Sequence, residues 1–118
     1  MTWNAAIVFT YRKPIPGREA KALENFADGI TTFGKLAADG KCAEPEVFHH
    51  LIGGGIMVIK TETPATALEI MALDHVRTLL DACLFNVVDF DVRVMVTGEL
   101  LMENMGHFTA VGTELGYL

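Results

Sequence analysis

The 118-residue chain contains no serine. That removes every serine-nucleophile reading, since there is no Ser-His pair and no strand-to-helix nucleophile elbow. Only two cysteines occur, Cys42 and Cys83, 41 positions apart and without a CxxC spacing. They are expected to be reduced thiols in a cytoplasmic protein. A metal centre needs several converging donors, and the sequence has no HxxxH, HxH or Cys/His cluster. Basic residues are sparse as well: nine Lys and Arg stand against fifteen Asp and Glu, for a net charge of −6 and a pI near 5.0. Scattered singly or in pairs, the cations form no phosphate-binding patch, so no nucleic-acid partner is expected. No apolar run approaches the ~18–20 residues of a membrane span. The start, "MTWNAAIVFTYRKP", lacks a basic region followed by a small-residue cleavage site.

What is abundant is apolar surface. The hydrophobic fraction is 51% and the mean hydropathy +0.34. A chain of this length makes one domain and buries roughly two-thirds of its unfolded surface. An apolar surplus in so small a domain implies a second contact surface, most simply with an identical subunit.

Along the chain, Ala5 to Tyr11 is rich in β-formers and stops at "RKPIPG", where Pro14, Pro16 and Gly17 end a strand. From Arg18 to about Ala38, Leu23, Phe26, Ala27, Ile30, Phe33, Gly34 and Ala37 recur at helical steps, and Gly40 ends the helix. Glu46 to Ile52 and Ile56 to Thr61 read as two strands around Gly53-Gly54-Gly55. Thr63 then caps a helix that starts at Pro64. Asp74 is expected to cap a second helical piece, "DHVRTLLDAC", after a bend near Ala72. In "NVVDFDVRVMVTG", Val88, Phe90, Val92, Val94 and Val96 point one way, while Asp89, Asp91, Arg93 and Met95 point the other. The order is β-α-β-β-α-β in residues 1–97, followed by a tail, residues 98–118. Leu100, Leu101, Met105 and Phe108 make that tail too apolar for a free end, so a short helix from Gly98 to about Met105 and an arm on the partner subunit are expected.

"FTYRKPIPGREAKALENF", "LIGGGIMVIKTETPATALEIM" and "FDVRVMV" resemble the dimeric α+β barrel superfamily, from about Ala5 to Thr97. The resemblance implies a ferredoxin-like α+β fold with an antiparallel four-stranded sheet of order 4-1-3-2. Two helices would cover one face, and the other face would pack on a second subunit's sheet to enclose a barrel. The superfamily includes cofactor-free monooxygenases, haem-degrading enzymes, stress proteins and members of unknown function. Its motifs here are structural punctuation and carry no activity by themselves.

With Gly53–Gly55 as the whole hairpin loop, His50 opposes Val58, and Phe48, His50, Ile52, Ile56, Val58 and Lys60 share one face. The greasier set, Val47, His49, Leu51, Met57, Ile59 and Thr61, is expected to meet the helices, which turns His50 into the barrel. The Val/Phe side of the last strand and Ile7, Phe9 and Tyr11 likewise meet the helices. The barrel then holds His50, Asp91 and Arg93 as candidate catalytic groups. Phe48, Val58, Lys60, Thr10, Arg12 and Met95 are its candidate ligand contacts. An apolar cavity with a few converging polar groups suits a small, mostly apolar ligand. The alternatives are a cofactor-independent monooxygenase or isomerase using His50 with Asp91 or Arg93, and a purely structural or stress-related dimer with a filled barrel. Asp91 and Arg93, two apart on one face, can equally pair with each other, and His50 can be an interface residue. His75, near the apolar face of the second helical region, is a weak haem-ligand candidate. Trp3 and Asn4 precede the first strand and do not match the haem-degrading site. No cofactor and no metal are expected.

Overall fold

The computed structural model describes residues 2–118. Eight elements follow one another: β1 (Ala5–Tyr11), α1 (Glu19–Ala38), β2 (Glu46–His49), β3 (Gly55–Thr61), α2 (Pro64–Ala72), α3 (Asp74–Asn86), β4 (Asp91–Val96) and α4 (Gly98–Glu114). The strands make one antiparallel sheet in the order β2-β3-β1-β4, the 4-1-3-2 arrangement the resemblance implies.

Local chemistry explains the element ends. Thr63 accepts a hydrogen bond from the Thr66 N–H at 3.1 Å, and Pro64 follows at the first helical position, where its missing N–H costs nothing. Leu73, in extended backbone, separates α2 from α3, at the bend read from the sequence. Asp74 supplies an acidic first-turn residue to α3 and no side-chain cap.

The core lies between the sheet and α1, α2 and α3. Ile7, Phe9, Met57 and Ile59 point inward from the sheet and meet Phe33, Leu36, Ile70 and Val76. Register places Ile7 beside Ile59 and Val94, and Phe9 beside Met57 and Val92. The helix-facing assignment of these strands from period-two patterning therefore holds.

Three sequence expectations need correction. The hairpin loop is His50–Gly54, not Gly53–Gly55, because the His50 N–H closes it on the Gly54 carbonyl at 2.9 Å. Met57 consequently opposes Val47 rather than Leu51, and His49 opposes Gly55 rather than Ile59. This is a shift of four residues, an even number, so each strand keeps its faces, but His50, Leu51 and Ile52 leave the sheet. The second correction concerns α1. Its inward stripe is Ala22, Gly29, Phe33 and Leu36, with Leu23 and Ile30 exposed. The expected stripe merged two neighbouring rows of the helix; of its members Phe33 is buried, and Phe26 and Ala37 pack at the edge of the core.

The tail supplies the third: the helix does not stop near Met105, and Gly98 to Glu114 form one 17-residue helix. Asp89 also lies outside β4, at φ 53 in a turn, a left-handed conformation that Asp tolerates better than most residues.

Candidate functional site

A cavity of about 330 Å³ opens on the helix-covered side of the sheet, between β1, β3, α1 and α3. That volume lies at the lower end of the range for small-molecule sites. Its walls are almost wholly apolar: Phe9, Phe26, Phe33, Met57, Leu79, Leu80 and Phe90 line it. Gly29 helps make the space. A Cβ built there meets only the Met57 Cε at 3.9 Å, so the position has room for a side chain that the sequence does not supply. The exposed residues Arg12, Lys13 and Gly53 border the cavity toward solvent.

Tyr11 and His49 stand as a polar pair in this wall. The Tyr11 hydroxyl and His49 Nε2 are 2.6 Å apart, although their strands are not neighbours. Both residues pair with Gly55 of β3, which lies between β1 and β2. Two strand spacings, about 9.6 Å, thus separate the two backbones, and only an empty position in the middle lets the side chains meet. Their ring centres are 5.5 Å apart, and the Phe26 ring packs on both. A Cβ at Gly55 would come within 2.2 Å of the Phe48 carbonyl oxygen and 2.6 Å of His49 Cδ2. A Cβ at Gly54, which stands at φ +78, would come within 2.8 Å of the Tyr11 carbonyl oxygen. Gly54 therefore lets the hairpin lie close against the end of β1, and Gly55 lets β3 lie close against β2.

Burial pushes the Tyr11 phenol up to about 12, so at neutral pH the hydroxyl keeps its proton. It donates to Nε2 when the imidazole carries its proton on Nδ1, and accepts from Nε2–H otherwise. Cys83 also lines the cavity, and burial pushes its thiol up to about 11. A neutral thiol is a poor nucleophile, so the pair, not Cys83, is the group equipped for proton transfer. Asn25 on α1 accepts a 2.8 Å bond from the Asn86 side-chain amide at the end of α3, tying together the two helices that roof the space.

No protein-family model matches the chain, and no curated protein matches its sequence. Solved structures do match. Rv0793 from Mycobacterium tuberculosis superposes with a TM-score of 0.63 at 14% identity, covering 81% of this chain and 94% of its own. SnoaB, a cofactor-independent oxygenase from Streptomyces nogalater, gives 0.61 at 7% identity over 81% and 95%. A dimeric protein of unknown function and ferredoxin-like fold from Bacteroides fragilis gives 0.57 at 6% identity over 81% and 100%. The chain has a ferredoxin-like fold.

On this ferredoxin-like frame the sequence-selected residues fall on the opposite side of the sheet from the cavity. Thr10, Phe48, Val58, Lys60, Asp91, Arg93 and Met95 belong to the strand positions that alternate with the core residues, so they share the helix-free face. There Arg93 donates to Asp91 at 2.7 Å, and Lys60 pairs with Glu46 at 3.2 Å. Arg12 borders the cavity instead and lies 3.7 Å from Asp89. His50 is exposed at the start of the hairpin loop and opposes no strand residue. His75 is exposed on α3. Among the described residues no group of His, Cys, Asp and Glu is placed to hold a metal.

Sequence reasoning assigned Tyr11 and His49 to the helix-facing side but overlooked them as a site. The available signal was a glycine due to sit opposite two polar aromatic residues. Reading it required the hairpin register, which the glycine run itself disguised.

Proposed function

We propose that two copies of the chain pair through their helix-free sheet faces, and that each holds a small, mostly apolar ligand in its helix-side cavity. The observation that carries the ligand reading is an apolar space of about 330 Å³ with the hydrogen-bonded Tyr11 and His49 in its wall. The dimer reading is supported by Phe48 and Ile56, apolar and exposed on the helix-free face beside Val58 and Met95. On this reading Asp91, Arg93 and Lys60 are interface residues, their charges already offset within the chain by the Arg93–Asp91 and Lys60–Glu46 pairs. Among the described residues no helix is long and apolar enough to cross a membrane.

A second reading makes the protein a cofactor-independent oxygenase or isomerase. The Tyr11–His49 pair favours it, together with the likeness to SnoaB, itself a cofactor-independent oxygenase. In this reading His49, rather than His50, removes a proton from an acidic O–H or C–H of the ligand, while Tyr11 orients the ring.

Gly29→Leu tests the cavity. Leucine is about 0.8–1 kcal/mol better than glycine in a helix interior, and here its side chain extends into the empty space. Titration with the apolar fluorophore 8-anilino-1-naphthalenesulfonate should give one site per chain in the native protein. Gly29→Leu should lose that site while keeping its melting temperature. Equal binding by both proteins would place the ligand elsewhere.

A further inference from the structure

We propose that α4 is an arm that docks on a second copy of the chain and enlarges the subunit contact begun by the helix-free sheet face. The inference rests on the homodimer reading above and goes beyond it by assigning the helix its partner.

The base of α4 is fixed. Gly98 stands at φ +59, where a Cβ would come within 2.7 Å of the Trp3 carbonyl oxygen. The Thr97 N–H donates to the Asn4 carbonyl at 2.9 Å, and the Asn4 side-chain oxygen accepts from the Glu99 N–H at 3.2 Å. The helix therefore leaves the body in a set direction, and it leaves alone: none of its residues is buried. The chain measures 54 Å along its longest axis and 33 Å and 26 Å across, with a radius of gyration of 16.6 Å. A compact chain of this length would have about 13–14 Å.

Helical spacing puts Leu101, Met105 and Phe108 on one stripe that continues through Gly112 to Leu115, with Glu99, Glu103, His107 and Glu114 opposite. Phe108 is 66% exposed and Leu115 63%. A 17-residue helix containing Gly106 and Gly112 is marginal on its own in water, so this stripe requires a partner.

Size and charge favour a second copy as that partner. The helix-free sheet face spans roughly 15 by 20 Å, a projected area of about 300 Å². Stable interfaces commonly bury about 800 Å² per partner. The α4 helix, about 25 Å long and 10 Å wide, nearly doubles that patch, and it starts two residues after β4, an edge strand of the same sheet. A membrane is the rival occupant. Helices that lie on anionic membranes carry Lys and Arg on the polar face, whereas residues 98–118 contain neither. The solved structures named above each cover 81% of this chain, close to the share that residues 1–97 make up, which fits α4 as an addition to the shared fold.

The test is sedimentation equilibrium on the full chain and on the double variant Met105→Asp, Phe108→Asp. The native protein should be a dimer, and the variant's dissociation constant should rise at least about 30-fold, with probe binding in the helix-side cavity unchanged. Should the double variant not fold, Leu115→Asp gives the same reading from the far end of the stripe. A native dimer whose dissociation constant is unmoved by the substitutions overturns the arm and leaves the homodimer standing. A native monomer overturns both. Co-sedimentation of the native chain with phosphatidylglycerol vesicles, lost in the variant, would give the stripe to a membrane and overturn the proposal.

Discussion

Gly55→Ala is expected to lower the melting temperature by roughly 10 °C or more. One methyl group there meets the Phe48 carbonyl oxygen at 2.2 Å and the His49 ring at 2.6 Å. Backbone cannot yield as the end of a flexible side chain does, so β2 must move away from β3. Overpacking of this kind costs about 2–4 kcal/mol, and each kcal/mol is worth several degrees in a domain of this size. Because β2 is an edge strand of only four residues, its displacement also carries His49 away from Tyr11. Gly53→Ala is the control, since it meets nothing within 4 Å but sits at φ +102. It should cost only about 1 kcal/mol, the strain of a left-handed alanine. Equal melting temperatures for the two variants would mean that the close approach is not what holds the hairpin.

The second large effect separates two adjacent histidines. Under the catalytic reading, His49→Gln should reduce kcat by about 10²–10⁴-fold, the usual contribution of a positioned acid–base group. His50→Gln should leave kcat unchanged. Oxygen uptake over a panel of naphthols is a suitable assay, and loss with His50→Gln alone would return the role to the hairpin loop. Tyr11→Phe should lower kcat as well, without removing a titration step near neutrality, because burial pushes the phenol up to about 12. The linkage to stability follows from the same shift. The folded chain binds the Tyr11 proton more tightly than the unfolded one, so the contribution to stability is complete below about pH 10. It disappears as pH rises through about 12, and Tyr11→Phe should flatten that alkaline loss.

Much of the fold was legible because its signals are local. Pro14 to Gly17 end β1, Thr63-Pro64 opens α2, and the Val/Phe alternation before Val96 fixes the faces of β4. The hairpin misled because three glycines looked like a complete turn. Here Gly55 belongs to β3, opposite His49 and Tyr11, and the loop borrows His50, Leu51 and Ile52 instead. The faces survived because the register moved by an even number.

The site was less legible for a related reason. Polar residues on the helix-free face, such as Asp91 and Arg93, drew attention to a possible barrel interior, yet they pair with each other at 2.7 Å. The cavity arises where α1 carries Gly29 in place of a larger core residue, an absence that helical periodicity does not register. The Tyr11–His49 pair joins residues 38 apart in sequence across an intervening strand, and no spacing rule reaches that far.

The central claim is that the ligand sits under the helices, against Tyr11 and His49. A crystal structure of the protein as purified from its expression host, or soaked with a bound naphthol, tests this directly. Difference density between α1, α3 and the sheet, within hydrogen-bond distance of the Tyr11 hydroxyl or His49, is the predicted result. Density confined to the space between two packed sheets, against Arg93 and Lys60, would contradict it.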